Sequence, residues 1–525
     1  MATVYVSQTA TNGYSVGADA NSYAAAQSKA SPKLTLESAL SAALSGDTIV
    51  LNDGTYTAAT YFSITKPLAI AAENDYAVTL KRTGSQARVV NMVVAGSVSL
   101  GKIVVDGEMN SGTNCLYVAA AASRTSLNLS GTMLKDAGSG GAWINVVATD
   151  FALVVNQAIG RGSAPSGGIL ASLLAAGFVN INGFDVDNSS SSGASSGNKG
   201  AVCLTATAAG VEMLISGCTG IWKSGNLSNA FIRTKGLTGI IEKNRGMTIN
   251  GTDTGAAIIW CENTSAAQAD AITIRDNQGV NACPGQYLII VGTDGAGAGD
   301  NMTNRPCVYR NDVMGNDAAS LMHGIVLGNI EGGVVTRNLV RKSAIPLLSK
   351  LQSEAAYWID NDVADAPTNT TGCLRSKGSV NQIFSGNRVR LRAGYLNTPV
   401  VVNQDPTLPT FSSGAQVVGN VFYSSVQVPV AASIGGSGDS SSGVFRLNAW
   451  VSSSGFAANA WQWGGVYYST VGAWAAAHEV NARSPGSPTA ADLGFWRREL
   501  LAVACEALSD SHIDLYPDVA IAISR

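Results

Sequence analysis

Asparagine recurs along the second half of this chain in a fixed apolar setting, and that spacing limits the possible folds more than any other feature. It stands at Asn244, Asn277, Asn311, Asn338, Asn361, Asn387, Asn420 and Asn448. Three residues before each lies Ile241, Ile274, Val308, Val335, Trp358, Phe384, Val417 or Phe445. Two residues after each lies Gly246, Gly279, Val313, Val340, Val363, Val389, Phe422 or Trp450. The steps between asparagines run, by subtraction, from 23 to 34 residues. A self-similar unit of this length signals a solenoid. The two apolar columns are five residues apart, and an odd spacing along a straight strand puts residues on opposite faces. Both columns reach one core only if the backbone bends between them. Asn is the non-Gly residue best suited to the left-handed conformation such a bend needs, and the sequence predicts that conformation at the Asn itself. Stacked Asn amides can also bond from coil to coil. Each repeat therefore reads as strand, bend, strand, and the fold class is an all-β parallel β-helix solenoid.

Composition agrees with this reading. Gly is abundant at 58 residues and charge is sparse at 13 %, with short β-branched runs set between turn residues. A net charge of −3 gives no basic footprint for nucleic acid. No charged and apolar leader opens the chain, and no apolar run reaches membrane-spanning length. The eight cysteines form no CxxC pair and read as small buried side chains. Cys218 aligns with the bend of an earlier coil, and Asn182 is expected at a bend of its own.

In chain order, Thr3-Val4-Tyr5-Val6 alternates like a strand. Leu36, Leu40 and Leu44 fall on one helical face over 35–45, with Thr35 as cap and Gly46 as stop. A strand followed by a turn reads over 46–56, with further strands near Ile64 and at 68–70. The segments 188–199 and 435–443 read as loops. Ser469 or Thr470 caps a short helix running through Trp474 to His478, and Thr489 to Leu508 reads as an amphipathic helix. The expected division is an N-terminal segment with its capping helix at 1–45, a β-helix at 46–465 and a C-terminal cap and helix at 466–525.

A capping helix followed by "GDTIVLNDGTY" and "ITKPLAI" resembles the N-terminal cap and first coils of the right-handed parallel β-helix, pectate-lyase-like superfamily. The opening "MATVYVSQTATNGYSVG" is most similar to its phage-encoded members, the tail spike and tail fibre proteins. The aromatic run before "YYSTVGAWAAA" resembles the C-terminal cap of the same group. The resemblance implies a virion protein, made in the host cytoplasm, that forms a homotrimer with other tail proteins as neighbours and binds a host surface polysaccharide. It implies two alternatives on the same fold: a polysaccharide depolymerase, either glycoside hydrolase or lyase, and a purely structural virion part.

The residues suggest where such chemistry would sit. Positions one after and two before each Asn should face outward. Arg245, Arg275, Tyr309, Asp312, Asp362 and Arg388 then form a strip suited to the hydroxyls of a linear sugar. Asp312 and Asp362 lie two coils apart, about 9.6 Å at twice the strand spacing. That is near the separation of an inverting acid–base pair. His323, in Met322-His323-Gly324-Ile325, is partly similar to the Gly-His-Gly element of polygalacturonases, although no adjacent Asp pair precedes it. Asp185 and Asp187 alternate in "FDVDN", too few oxygens for calcium. No cofactor or metal is expected.

Overall fold

A computed structural model describes residues 1–480 except 85–86, 111, 120–122, 139, 149, 165, 174–176, 191–198, 207–209, 226–228, 264–270, 285, 294–302, 317–321, 352, 368–371, 392–397, 404–411, 425–443, 453–460 and 464–465. The expected loop at 435–443, most of that at 188–199, Cys505, His512 and the helix expected at 489–508 lie outside them. The chain divides into two compact units, Met1–Ile259 with Ala266–Gln268, and Trp260–Ser265 with Ala269–Arg525.

Each unit is a stack of parallel coils. In the N-terminal unit one coil runs through Thr48–Leu51, Gly54–Ala58 and Phe62–Ile64. The next runs through Leu68–Ala72, Val78–Arg82 and Arg88–Met92. Each strand pairs in parallel with its counterpart one coil on: Thr48 with Ala69, Gly54 with Val78, Phe62 with Val90. The C-terminal unit repeats the scheme. Cys307–Tyr309, Asp312–Met314 and His323–Gly328 pair with Ile330–Thr336, Leu339–Arg341 and Ile345–Lys350. This is the parallel β-helix that the sequence predicts.

The N-terminal end is closed as expected, with one difference. The helix spans Leu36–Ala42, and Thr35 Oγ1 accepts from the Ser38 N–H at 3.2 Å. Its C-cap is Ala43, ahead of Gly46, so Leu44 falls past the helix end and is exposed while Leu36 and Leu40 are buried. Thr3–Val6 lies parallel on Thr48–Leu51. At the other end Thr470 caps a helix over Val471–His478.

The bend differs from expectation in one instructive way. The left-handed residue is the one before each Asn: Lys243, Asp276, Arg310, Arg337, Asp360, Gly386, Gly419 and Leu447, with φ between 52° and 65°. Holding a non-Gly residue there costs about 1–2 kcal/mol. The Asn itself points inward, and Asn338, Asn361 and Asn387 are at most 1 % exposed. From Asn277 onward, positive φ lets three residues, at −3, 0 and +2 from the Asn, all face the core. At Asn244 the expected Gly246 is instead exposed, with a positive φ of its own, and Met247 is the inward residue. Asn182 is not at this position: Gly183 takes the positive φ (79°), and Phe184 is the inward residue after it.

In the C-terminal unit the inward amides form a continuous ladder. Asn311 Nδ2 donates to Asn338 Oδ1 at 2.9 Å, and the Asn311 backbone N–H donates to the same oxygen at 3.0 Å. Asn311 Nδ2 also reaches the Ile274 carbonyl one coil back, at 2.9 Å. The same bonds recur from Asn338 to Asn361, Asn361 to Asn387, Asn387 to Asn420 and Asn420 to Asn448. The ladder ends on a carboxylate. Glu479 Oε1 accepts from Asn448 N and Nδ2 at 2.9 and 2.8 Å, and Oε2 accepts from the Trp450 and Trp474 indoles at 2.9 and 2.7 Å. Glu479 is 3 % exposed. Flanking the ladder, Trp358 stacks on Phe384 and Phe422 on Trp450, at 5.8 and 4.5 Å between centroids.

The seven described cysteines are all buried, as small apolar side chains would be. Burial pushes the Cys218 thiol up to about 12, which leaves it unreactive.

Candidate functional site

The inward turn of the Asn decides what remains outside. In the C-terminal unit the position two before the Asn is covered on five coils, where Tyr309, Thr336, Ile359, Ser385 and Val418 are each at most 5 % exposed, while Arg275 is half-buried and Arg446 exposed. Tyr309 therefore leaves the expected strip. Its hydroxyl accepts from Arg275 Nη1 at 2.8 Å, and the Arg310 guanidinium lies 4.9 Å from its ring centre. The exposed ridge is built instead from the left-handed residues and those just after the Asn. Gln278, Asp312, Leu339, Asp362 and Arg388 are register partners on successive coils. Beside them stand Asp276, Arg310, Arg337 and Asp360.

These charges are matched across coils. Arg388 grips Asp362 with two parallel bonds, Nε to Oδ1 at 2.5 Å and Nη2 to Oδ2 at 2.6 Å. Arg341 donates from Nε and Nη2 to Asp312 Oδ1 at 3.1 and 2.5 Å. Arg310 pairs with Asp276 at 2.8 Å, and Arg337 with Asp360 at 3.8 Å. A two-pronged guanidinium–carboxylate bond fixes both partners in orientation. Asp312 and Asp362 do lie two coils apart on one column, with Leu339 between them, and each holds an arginine.

His323 lies on a different sheet from these two aspartates. Its ring packs 5.2 Å from Tyr287, which is 2 % exposed, and Lys350 Nζ lies 5.4 Å from the centre of the Tyr287 ring. Arg375 and Lys377 belong to the next-but-one strand of His323's sheet, with Lys377 opposite Lys350. His478 bonds through Nε2 to the Tyr468 hydroxyl at 2.7 Å. Arg245 belongs to the N-terminal unit and is exposed, with its backbone N–H on the Cys218 carbonyl at 3.1 Å.

The N-terminal unit carries outward rows that the sequence reading passed over. Asn156, Asn182 and Ser216 are register partners. Asn156 Nδ2 donates to Asn128 Oδ1 at 3.3 Å, and Ser216 Oγ donates to Asn182 Oδ1 at 3.4 Å. Past the bend, Val104, Met133 and Ile159 form a half-buried apolar row. Two residues further along the same strands come Asp106, which is only 6 % exposed, then Lys135, Arg161 and, on the next coil, Asp187. Strand alternation puts these last two rows on one face. Lys135 lies 3.7 Å from Asp106 and 3.4 Å from Asp136, and Arg161 pairs with Asp185. The Ser189 hydroxyl and N–H hold the Asp187 carboxyl below the usual range. Among the described residues no three His, Cys, Asp or Glu side chains gather as metal ligands. These rows were hard to find because the inward residue at each bend changes from coil to coil, here Thr132, Ala158, Phe184 and Cys218, so no single letter marks the period.

No family model matches the chain, and no curated protein matches it in sequence. Among solved structures it is similar to a mannuronic acid specific polysaccharide family 6 lyase from human gut microbiota, at 12 % identity over 92 % of this chain and 95 % of that one, with a TM-score of 0.41. It is also similar to the A-module of the Azotobacter vinelandii mannuronan C-5 epimerase AlgE6, at 11 % identity over 85 % and 92 %, with a TM-score of 0.29. A third is the Pseudopedobacter saltans PL6 family polysaccharide lyase Pedsa3628, at 12 % identity over 74 % and 84 %, with a TM-score of 0.27. Superpositions this loose transfer neither activity nor site residues to this chain.

Proposed function

We propose that the protein binds an extended polysaccharide along the outer face of its coils. The observation that carries this reading is the register of outward hydrogen-bonding side chains. Asn156, Asn182 and Ser216 stand on successive coils at the strand repeat of about 4.8 Å, beside an apolar row and a charged one. A sugar chain offers the complement: hydroxyls for amides and ion-paired carboxylates, and C–H faces for Val104, Met133 and Ile159. In the C-terminal unit Arg275, Asp312, Asp362 and Arg388 extend the same reading to a second strip, with Arg245 as an exposed candidate in the N-terminal unit and Tyr309 as a support beneath Arg275. The finer setting, a homotrimeric phage tail spike or fibre on the virion, comes from the resemblance of the N-terminal cap alone. Solution mass at micromolar concentration tests it, and a stable monomer sinks it.

A second reading, cleavage of the bound polymer, is favoured by the mixed row Asp106, Lys135, Arg161 and Asp187, in which carboxylates and cations stand one strand spacing apart. Asp312 and Asp362 act as acid and base only if a substrate displaces Arg341 and Arg388 from them. Incubation with polysaccharide separates the readings. New reducing ends that carry an unsaturated sugar indicate elimination, and saturated ones indicate hydrolysis. Retention of the polymer with neither supports binding alone. Loss of cleavage in Asp312→Asn and Asp362→Asn would assign it to the C-terminal strip, and loss in Lys135→Ala would assign it to the N-terminal one.

A further inference from the structure

We infer that the polymer taken by the N-terminal unit is uncharged, an inference that rests on the polysaccharide reading above. A face built for a polyuronate needs cations in excess, because such a polymer brings a negative charge with every sugar. This face has no such excess. Lys81, Lys102, Lys135, Arg161 and Lys223 stand among Asp75, Glu108, Asp136, Asp185 and Asp187, and Asp106 is buried. Four of these cations are already engaged: Lys81 with Glu108 at 2.9 Å, Lys102 with Asp75 at 2.9 Å, Lys135 with Asp136 at 3.4 Å, and Arg161 with Asp185. Five carboxylates against five cations leave no surplus positive charge for a polyanion. Groups on adjacent coils stand about one strand spacing of 4.8 Å apart, inside the screening length of about 8–10 Å at ordinary ionic strength, so each charge feels its neighbours on the next coil.

The other two rows point the same way. Asn128, Asn156 and Asn182 offer both a donor and an acceptor per amide, which suits a hydroxyl in either role and gives no preference for an anion. Val104, Met133 and Ile159 offer a strip of apolar surface between the amides and the charges, where the C–H face of a neutral ring loses water at no electrostatic cost. The carboxylates beyond it are good acceptors for sugar hydroxyls. Neutral hexose or N-acetylhexosamine polymers fit all three rows. A polyuronate fits the amides and the apolar row but meets no surplus cation in the charged one.

Electrophoresis of the full chain through native gels holding one polysaccharide each tests this. The gels would contain dextran, galactan, mannan or soluble chitin oligomers on the neutral side, and alginate or polygalacturonate on the charged side. The expected result is retardation by a neutral polymer that persists at high salt. It should weaken roughly three- to tenfold in Asn156→Ala and in Asn182→Ala, as for one or two lost hydrogen bonds. Unchanged unfolding midpoints in the same variants show that they remain folded, and Met133→Asp provides a second probe of the apolar row. Retardation by polyuronates alone, abolished by salt, overturns the uncharged assignment and leaves the polysaccharide reading standing. Neutral binding indifferent to all three substitutions overturns the location. No retardation in any gel removes the polysaccharide reading itself.

Discussion

The two units solve the same bend with different interiors. In the N-terminal unit the left-handed residues Lys102, Gly131, Gln157, Gly183 and Gly217 are followed by Ile103, Thr132, Ala158, Phe184 and Cys218, all of them buried. In the C-terminal unit the same backbone step is followed by Asn from 277 to 448, as it already is at Asn244, after Lys243, near the end of the N-terminal unit. The bend therefore does not need Asn; it needs one residue at positive φ and an inward neighbour. What Asn adds is a seam of side-chain bonds running through the coils, each amide accepting from the coil before and donating to the coil after. The seam must end somewhere. At Asn448 the next acceptor is supplied from outside the repeat by Glu479, on a short strand that pairs with Val444–Arg446. The bends at Ile103, Ala158 and Phe184 need no such terminus, because an apolar side chain leaves no donor waiting, and Thr132 spends its hydroxyl on the Leu100 carbonyl at 2.7 Å.

The largest expected effect tests that terminus. Glu479→Ala strips the acceptors from four buried N–H groups on Asn448, Trp450 and Trp474. Removing one partner of a buried charged network costs about 3–5 kcal/mol, read as a lower urea midpoint. Glu479→Gln keeps one oxygen but sets an NH2 against the two indoles, and should cost about 1–3 kcal/mol. If both variants unfold at the parent's midpoint, the ladder does not depend on its terminus.

Next comes the seam itself. Asn361→Leu leaves Asn338 N and Nδ2 without their shared acceptor and the Val335 carbonyl without its donor. The expected loss is about 1–3 kcal/mol. The matching change in the other unit, Cys218→Ala, removes a small side chain and no required bond, and should cost about 1 kcal/mol or less. Equal losses at the two positions would erase the difference between the units.

The legible and illegible parts of the molecule divide along this line. The Asn ladder was readable because an inward amide has one geometry that works, so the same letter must return at the same place between apolar neighbours. The left-handed residue was not readable. Arg310, Arg337 and Leu447 carry no sign of positive φ, and the conformation was assigned to the Asn because Asn tolerates it better. That one-residue error moved the outward strip, leaving Tyr309 on a surface where it is in fact covered and passing over Asp276, Arg310, Arg337 and Asp360. Asp312, Asp362 and Arg388 were placed correctly on one column, but the Arg341 and Arg388 clamps depend on register between coils of unequal length. Glu479 was invisible because it joins the ladder in space after a long departure in sequence.

A smaller effect follows from the burial of Glu479. Desolvation raises its pKa above the ordinary glutamate value, against the pull of the indole and Asn448 N–H groups. Between the unfolded value and the raised native one, the folded protein holds a proton that the unfolded chain has lost. Its contribution is therefore full below the ordinary glutamate range and declines as pH rises through the native pKa. Unfolding free energy measured across that window should fall with rising pH, and Glu479→Gln should flatten the slope. A slope that survives in the variant assigns it to other groups.

The smallest effect is at the surface pair that looks strongest. Arg388 and Asp362 share two short bonds, yet their side chains are 40 % and 44 % exposed. Water and salt screen such a pair, and exposed pairs contribute about 0–1 kcal/mol even when the geometry is good. Asp362→Asn keeps the shape, removes the charge and should shift stability by no more than that, with the shift shrinking at high salt. The contrast with Glu479 is the informative part: two carboxylates, each taking short N–H bonds, are expected to differ several-fold in their effect because one is covered and the other is wet. If Asp362→Asn instead costs as much as Glu479→Gln, the outer ridge is a structural seam in its own right. Its charges would then be committed to holding coils together and would not be available to a sugar.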